Sequence, residues 1–221
     1  MMSRPIRLLA VVLAVSLALA TGCKYNTSKS PETAKMNPQF SVAVAPFSVA
    51  HESYELLTGY MQEKLTPPKA DAVMDLDAIM TESLHVTPES NIIPPAKVKD
   101  CLDGTRRPGE ASRQAILKFW QTVGQCQDAK FILVPVVSHW KEREGSPAGS
   151  TSPAWVILDL YLVNVKTGQL ANHFHYDYQQ QALTDNFLEV DKFLKRHGQW
   201  VRAEDLAREG IVKGLKELGL Q

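Results

Sequence analysis

Two stretches decide the fold: Phe131-Ile132-Leu133-Val134-Pro135-Val136-Val137-Ser138-His139-Trp140, and Trp155-Val156-Ile157-Leu158-Asp159-Leu160-Tyr161-Leu162-Val163-Asn164-Val165. Both are long, β-branched and apolar on both faces, the pattern of strands buried at the centre of a sheet. Lys166-Thr167-Gly168 is a tight turn, and Gln169 to Gln180 follows as a third strand. Side chains alternate along a strand, so Phe174, Tyr176 and Tyr178 fall on one face and His173, His175 and Asp177 on the other. The three strands form an antiparallel meander. Glu144 to Pro153, between the first two, is rich in Gly, Ser and Pro and longer than the usual hairpin connection, and is expected as a mobile loop.

Upstream, Phe40 to Phe47 is a short β-rich run stopped by Pro46, which cannot continue a central ladder. Glu52 to Leu65 shows helical spacing, with Leu57, Tyr60, Met61 and Leu65 on one side. Further helices are expected over Asp71 to Leu84, Ala96 to Leu102 and Ala111 to Gln125, with a minimal strand at Asn91-Ile92-Ile93 closed by Pro94-Pro95. Downstream, helical patterning covers Phe187 to Arg196 and Ala203 to Leu218, the latter with Glu204–Arg208 and Glu209–Lys213 at favourable four-residue spacing. This order predicts an α/β (α+β) fold: a single mixed β-sheet with a C-terminal three-stranded antiparallel meander, packed with helices. Ala203, Ala207, Gly210 and Gly214 stripe the last helix with small residues. They either seat it close on the sheet or form a helix–helix contact between subunits.

The N-terminal segment is read as an address. Arg4 and Arg7 precede an apolar run, Leu8 to Ala20, that is too short to span a bilayer comfortably and is followed by small residues. Leu19-Ala20-Thr21-Gly22-Cys23 resembles the bacterial lipobox, in which the signal is cut before a cysteine that becomes lipidated. The expected organisation is a lipoprotein signal peptide over 1–22, a lipidated flexible tether over 23–39 rich in Lys, Ser, Thr, Asn and Pro, and one domain over 40–221. The resemblance implies that Cys23 carries acyl chains, which supply membrane affinity at about 0.8 kcal/mol per buried methylene. Lys24 is not the aspartate that retains such proteins at the inner membrane, so the outer membrane, on its periplasmic side, is the expected location.

Composition agrees with a globular domain. The 221 residues carry zero formal net charge, with 44% hydrophobic and 22% charged residues. Without the leader, 22 basic side chains face 24 acidic ones, since both leader charges are arginines. A near-neutral surface gives no reason to expect nucleic acid. With Cys23 set aside, Cys101 and Cys126 are an even pair in an oxidising compartment, expected as a disulfide, with two buried free thiols as the alternative.

The run from lipobox to the Val-Ala-Val-Ala-Pro-Phe strand, then Ala129 to Pro135 and Val163 to Leu170, resembles a group of envelope-lipoprotein domains. That group is typified by the curli-secretion subunit, the LpoB-type activators of penicillin-binding proteins and the N-terminal domain of TolB. Gln180 to Asn186 and Ala203 to Gly210 are similar to segments of uncharacterised lipoproteins from Gram-negative anaerobes. The resemblance implies an accessory envelope role and carries over no catalytic residue and no cofactor.

Candidate chemistry is sparse. His173, His175 and Asp177 share a strand face and are legitimate ligands for a divalent metal, while the plain alternative is the solvated face of an edge strand. His139 and Asp159 complete a cluster if strand pairing puts them on that face. The chain has no Gly-x-Ser-x-Gly elbow, P-loop or Gly-x-Gly-x-x-Gly. Gly104 to Gly109 is a basic loop, either solvated or facing an anionic polymer. Ser146 and Pro147 in the long loop, with Trp140 and Trp155 at its base, are candidate partner contacts, because binding concentrates on loops held by rigid strands and Trp is enriched at hot spots.

The leading expectation is therefore a non-enzymatic, lipid-anchored envelope protein that binds another envelope protein in assembly, transport or regulation. The alternatives are a metal-binding or hydrolytic protein using the histidine face, and a homo-oligomeric secretion scaffold.

Overall fold

The computed structural model describes residues 40–84, 91–146, 149–179 and 201–221. The chain divides into two units, Met1–Glu32 and Thr33–Gln221, and every described residue belongs to the second. The expected leader, Cys23, the tether, Pro147 and the helix over Phe187 to Arg196 lie outside the described residues. In chain order the elements are β1 (Val42–Val44), β2 (Ser48–Val49), a 3-10 turn (Ser53–Glu55), α1 (Ala70–Ser83), β3 (Ile92–Ile93), α2 (Pro95–Gly104) and α3 (Arg113–Cys126). Then come β4 (Phe131–Lys141), β5 (Glu144–Ser146), β6 (Gly149–Ser152), β7 (Trp155–Asn164), β8 (Gln169–Gln179) and α4 (Ala203–Glu217).

One mixed sheet is ordered β3-β1-β4-β7-β8, with β2 also paired to β4. β1 and β2 run parallel to β4, Val42 opposite Phe131 and Ser48 opposite Val136. Pro46 lies between them and has no N–H to donate to the ladder, which explains the break. β4, β7 and β8 form the predicted antiparallel meander. The connection expected as a loop is itself a two-stranded hairpin, β5–β6, so this expectation is corrected. Its Gly and Ser content carries little strand propensity, which concealed the pairing.

Alternation sorts the strands onto two faces. On the first, Leu133, Val137, Leu158, Leu160, Phe174 and Tyr176 pack with Leu76 and Met80 of α1 and with Leu206, Ile211 and Leu215 of α4. A Cβ on Gly214 would lie 2.5 Å from both Leu160 Cδ1 and Phe174 Cδ1, so only hydrogen fits there. The small-residue stripe therefore seats α4 directly on β7 and β8. On the second face, Ile132, Val134, Tyr161 and Val163 pack with Val98 of α2 and with Phe119, Trp120 and Val123 of α3.

Local signals set the boundaries of these helices. Pro95 opens α2, where a missing N–H costs nothing. Ser112 caps α3, its side chain accepting a hydrogen bond from the Ala115 N–H at 3.2 Å. Cys101 of α2 and Cys126 of α3 form a disulfide, with Cα atoms 6.0 Å apart. No helix among the described residues is long and apolar enough to cross a membrane.

The helix expected over Glu52 to Leu65 does not form beyond the turn at Ser53–Glu55. Tertiary partners take the backbone groups that a helix would use. The Arg113 guanidinium donates to the carbonyls of Ser53 and Gly59, Tyr161 donates its hydroxyl to the Thr58 carbonyl, and the Thr66 N–H goes to His139. Gly59 and Lys64 adopt positive φ, incompatible with a continuous right-handed helix. Adjacent Leu56 and Leu57 are both buried while Tyr60 is 84% exposed, so a helical stripe is not what this segment buries.

Candidate functional site

The site grows from the register of β7 and β8. Asp159 lies opposite His175, Tyr161 opposite His173 and Ile157 opposite Asp177, all on the second face. Asp159 is 3% exposed, and its cross-strand neighbour on β4 is the apolar Val136. A charge buried there needs a partner, because desolvating an unpaired carboxylate is very costly. It finds two on the same side: His173 Nε2 lies 2.7 Å and His175 Nδ1 2.8 Å from the same oxygen, Asp159 Oδ1.

A carboxylate oxygen only accepts, so both contacts are hydrogen bonds when His173 carries its proton on Nε2 and His175 on Nδ1. Burial pushes the Asp159 carboxyl up, but the two histidine hydrogen bonds, with the imidazole charges, outweigh it and hold the group below its ordinary value. The hydrogen bond to Asp159 raises the His175 imidazole above its ordinary value against the opposing effect of burial. The His173 ring stacks on Tyr161, with centroids 4.6 Å apart and 10° between planes. Burial drives the Tyr161 hydroxyl far up, so it stays a protonated donor to Thr58.

The predicted third ligand lies elsewhere. Asp177 shares the face of the two histidines but accepts hydrogen bonds from Trp155 Nε1 at 2.7 Å and Gln62 Nε2 at 3.0 Å. Asp159 takes its place, from the neighbouring strand. The sequence signal for it is a lone acid inside an otherwise apolar central strand. His139 stays apart from the cluster: a register shift between Val137 and His139 precedes it, Nδ1 accepts from the Thr66 N–H at 2.8 Å, and the ring sits 4.2 Å from that of Trp155. Burial, then Lys141, lowers its imidazole below the ordinary value.

Trp140 and Trp155 are both half-buried but fall on opposite faces. Trp140 packs with the first face, and Trp155 lies over His139 on the second. Trp140 also lines a cavity of about 440 Å³ with Thr66, Pro67, Asp75, Glu142 and Arg202. Ser146 ends β5. In the basic loop, Arg107 stacks its guanidinium 5.9 Å from the Phe119 ring centroid.

No protein-family model matches this chain, and no curated protein matches it. Among solved structures it is similar to the PelC dodecamer from Paraburkholderia phytofirmans, with a TM-score of 0.45, 16% identity, and 84% of this chain and 91% of that chain covered. It is similar to lipoprotein GNA1162 from Neisseria meningitidis, with a TM-score of 0.41, 13% identity and coverage of 72% and 98%. LpoB from E. coli follows, with a TM-score of 0.36, 11% identity and coverage of 64% and 57%. The LpoB-type resemblance drawn from the sequence is thus met among these neighbours, as a distant likeness at low identity.

Proposed function

We propose that this protein is a non-enzymatic, lipid-anchored component of the bacterial envelope, held at the periplasmic side of the outer membrane through Cys23, which acts by binding another envelope protein. One observation carries the reading: the two cysteines left after Cys23 are joined as a disulfide between α2 and α3. Such bonds persist in oxidising compartments and are rare in the cytosol. The leader ending Leu19-Ala20-Thr21-Gly22-Cys23 supports the same address independently and supplies the anchor.

The partner contact is assigned to the end of the sheet where β4 and β7 run into the β5–β6 hairpin, on the side of Trp140 and its cavity. Glu142, Asp75 and Arg202 place charges of both signs around one aromatic edge there, a polar rim about an aromatic anchor. The experiment has two arms. Labelled palmitate enters the native chain and not Cys23→Ala, and that variant moves from the membrane to the soluble fraction. A photo-crosslinker at Glu144 captures one defined envelope protein in living cells, and the capture is lost on Trp140→Ala. Unchanged fractionation of Cys23→Ala overturns the anchor. Crosslinking only to a second copy of this chain replaces the accessory reading with the homo-oligomeric one.

A further inference from the structure

Asp159, His173 and His175 are the one group among the described residues whose ligand atoms converge as a metal site requires, all lying within 4.8 Å of one another. We propose that they bind a single divalent first-row transition ion, with zinc as the best fit. The proposal is independent of the envelope reading, since it rests on the β7–β8 register alone.

Three features favour an ion over a merely satisfied salt bridge. First, the convergence is built into the sheet: His173 and His175 are two apart on β8, and Asp159 is directly opposite His175, so no side chain has to leave its face. Second, both imidazoles point their near nitrogens at one carboxylate oxygen, 2.7 and 2.8 Å away. Zinc bonds to His nitrogen and carboxylate oxygen measure about 2.0–2.2 Å, which places ligand atoms roughly 3.3 Å apart around a tetrahedral ion, so each nitrogen has to draw back from the Asp159 oxygen by only about 0.5 Å. In that exchange the ion displaces the protons on the two near nitrogens: a neutral imidazole takes its proton back on the far ring nitrogen with no net release, whereas an imidazolium gives one proton to solvent.

Third, the supporting contacts orient the ligands. Tyr161 stacks on the His173 ring, and burial fixes Asp159. The His175 side chain is 50% exposed, which gives the ion an entry path and leaves the fourth position to water. Two imidazoles and one carboxylate match zinc by ligand type.

The test uses the full mature chain, with Zn2+ titrated by calorimetry and Co2+ followed by its visible absorption. One equivalent of each is expected to bind, with the cobalt spectrum showing tetrahedral intensity. His175→Ala, at a half-exposed position and with His173 still partnering Asp159, is expected to weaken zinc binding at least about 100-fold, beyond the 10–100-fold that loss of an outer-shell partner costs. Asp177→Asn is expected to leave affinity unchanged, because that carboxylate serves Trp155 and Gln62. Circular dichroism of each variant checks the fold. Failure of the native chain to bind either ion at micromolar concentration overturns the proposal. So does one-equivalent binding that survives in the His173→Ala, His175→Ala double variant, or that is lost in Asp177→Asn with the fold intact.

Discussion

The two faces of the sheet solve the same burial problem differently. On the first, α4 lies directly on β7 and β8 and α1 packs beside it, so Leu160, Phe174 and Tyr176 are sealed by apolar side chains. On the second, α2 and α3 cover β1, β4 and the near part of β7, while β8, at the sheet edge, is more open and meets the irregular segment 51–66 through the Gln62–Asp177 hydrogen bond. One face of β8 can therefore bury Phe174 and Tyr176 while the other carries His173, His175 and Asp177, with Asp159 beside them on β7. A close-packed helix excludes water and with it any unpaired charge, whereas an irregular segment offers backbone carbonyls and N–H groups as partners. That difference confines candidate chemistry to the second face.

The sharpest way to break the comparison is to truncate one side chain on each side. Leu160 is 1% exposed beneath α4, and Leu160→Ala is expected to cost about 2–5 kcal/mol, the lost transfer energy plus an unfilled cavity. Tyr60, on segment 51–66, is 84% exposed, with the Arg113 guanidinium 5.1 Å from its ring centroid. Tyr60→Ala is expected to cost no more than about 1 kcal/mol. Denaturant unfolding of both variants measures the difference, and equal losses would mean that the first face is not the principal core.

A smaller effect tests what holds the second face together. The disulfide closes a loop with a sequence separation of 25 between α2 and α3, the two helices of that face. Replacing both cysteines with serine is expected to remove about 3 kcal/mol, chiefly by freeing the unfolded chain. Because α1 and α4 contain no cysteine, near-ultraviolet signals from Phe119 and Trp120 on α3 should loosen before those of Phe174 and Tyr176. Uniform loosening would show the two faces to be one cooperative unit.

How much of this was legible in the sequence follows the same division. Apolar runs announce buried central strands, and strict alternation in Gln169 to Gln180 put Phe174 and Tyr176 on one face and His173 and His175 on the other, as the register has them. Pattern works there because one repeated choice, apolar or not, is made by burial alone. It fails for Glu52 to Leu65, whose conformation is fixed by groups far away in sequence, Arg113, His139 and Tyr161. The third member of the histidine cluster could be named only conditionally, Asp159 joining it if strand pairing allowed, for a related reason. Alternation along one strand reports Asp177 as a neighbour in sequence, but which residue of β7 faces His175 depends on the turn at 166–168 and on the register shift between Leu162 and Val163.

The smallest expected effect separates two carboxylates, one for each face. Asp77 of α1 accepts from the Phe47 N–H at 2.6 Å, and burial, only partly offset by that bond and by Lys99, holds its carboxyl above the ordinary value. Asp159 is more deeply buried, yet the histidines hold it below. For an acid raised by folding, the native state favours the protonated form. Asp77 therefore supports stability below its unfolded value, and that support declines as the pH rises through the higher folded value. Asp77→Asn keeps an oxygen for the Phe47 N–H and removes the ionisation. The variant is expected to match the native protein in stability near pH 3 and to exceed it slightly at neutral pH. Carboxyl carbon shifts followed by NMR in the metal-free chain should show Asp77 titrating above the ordinary aspartate value and Asp159 below it. If both moved in the same direction, burial alone would govern the two sites, and the distinction drawn between a sealed face and one that furnishes partners would not hold.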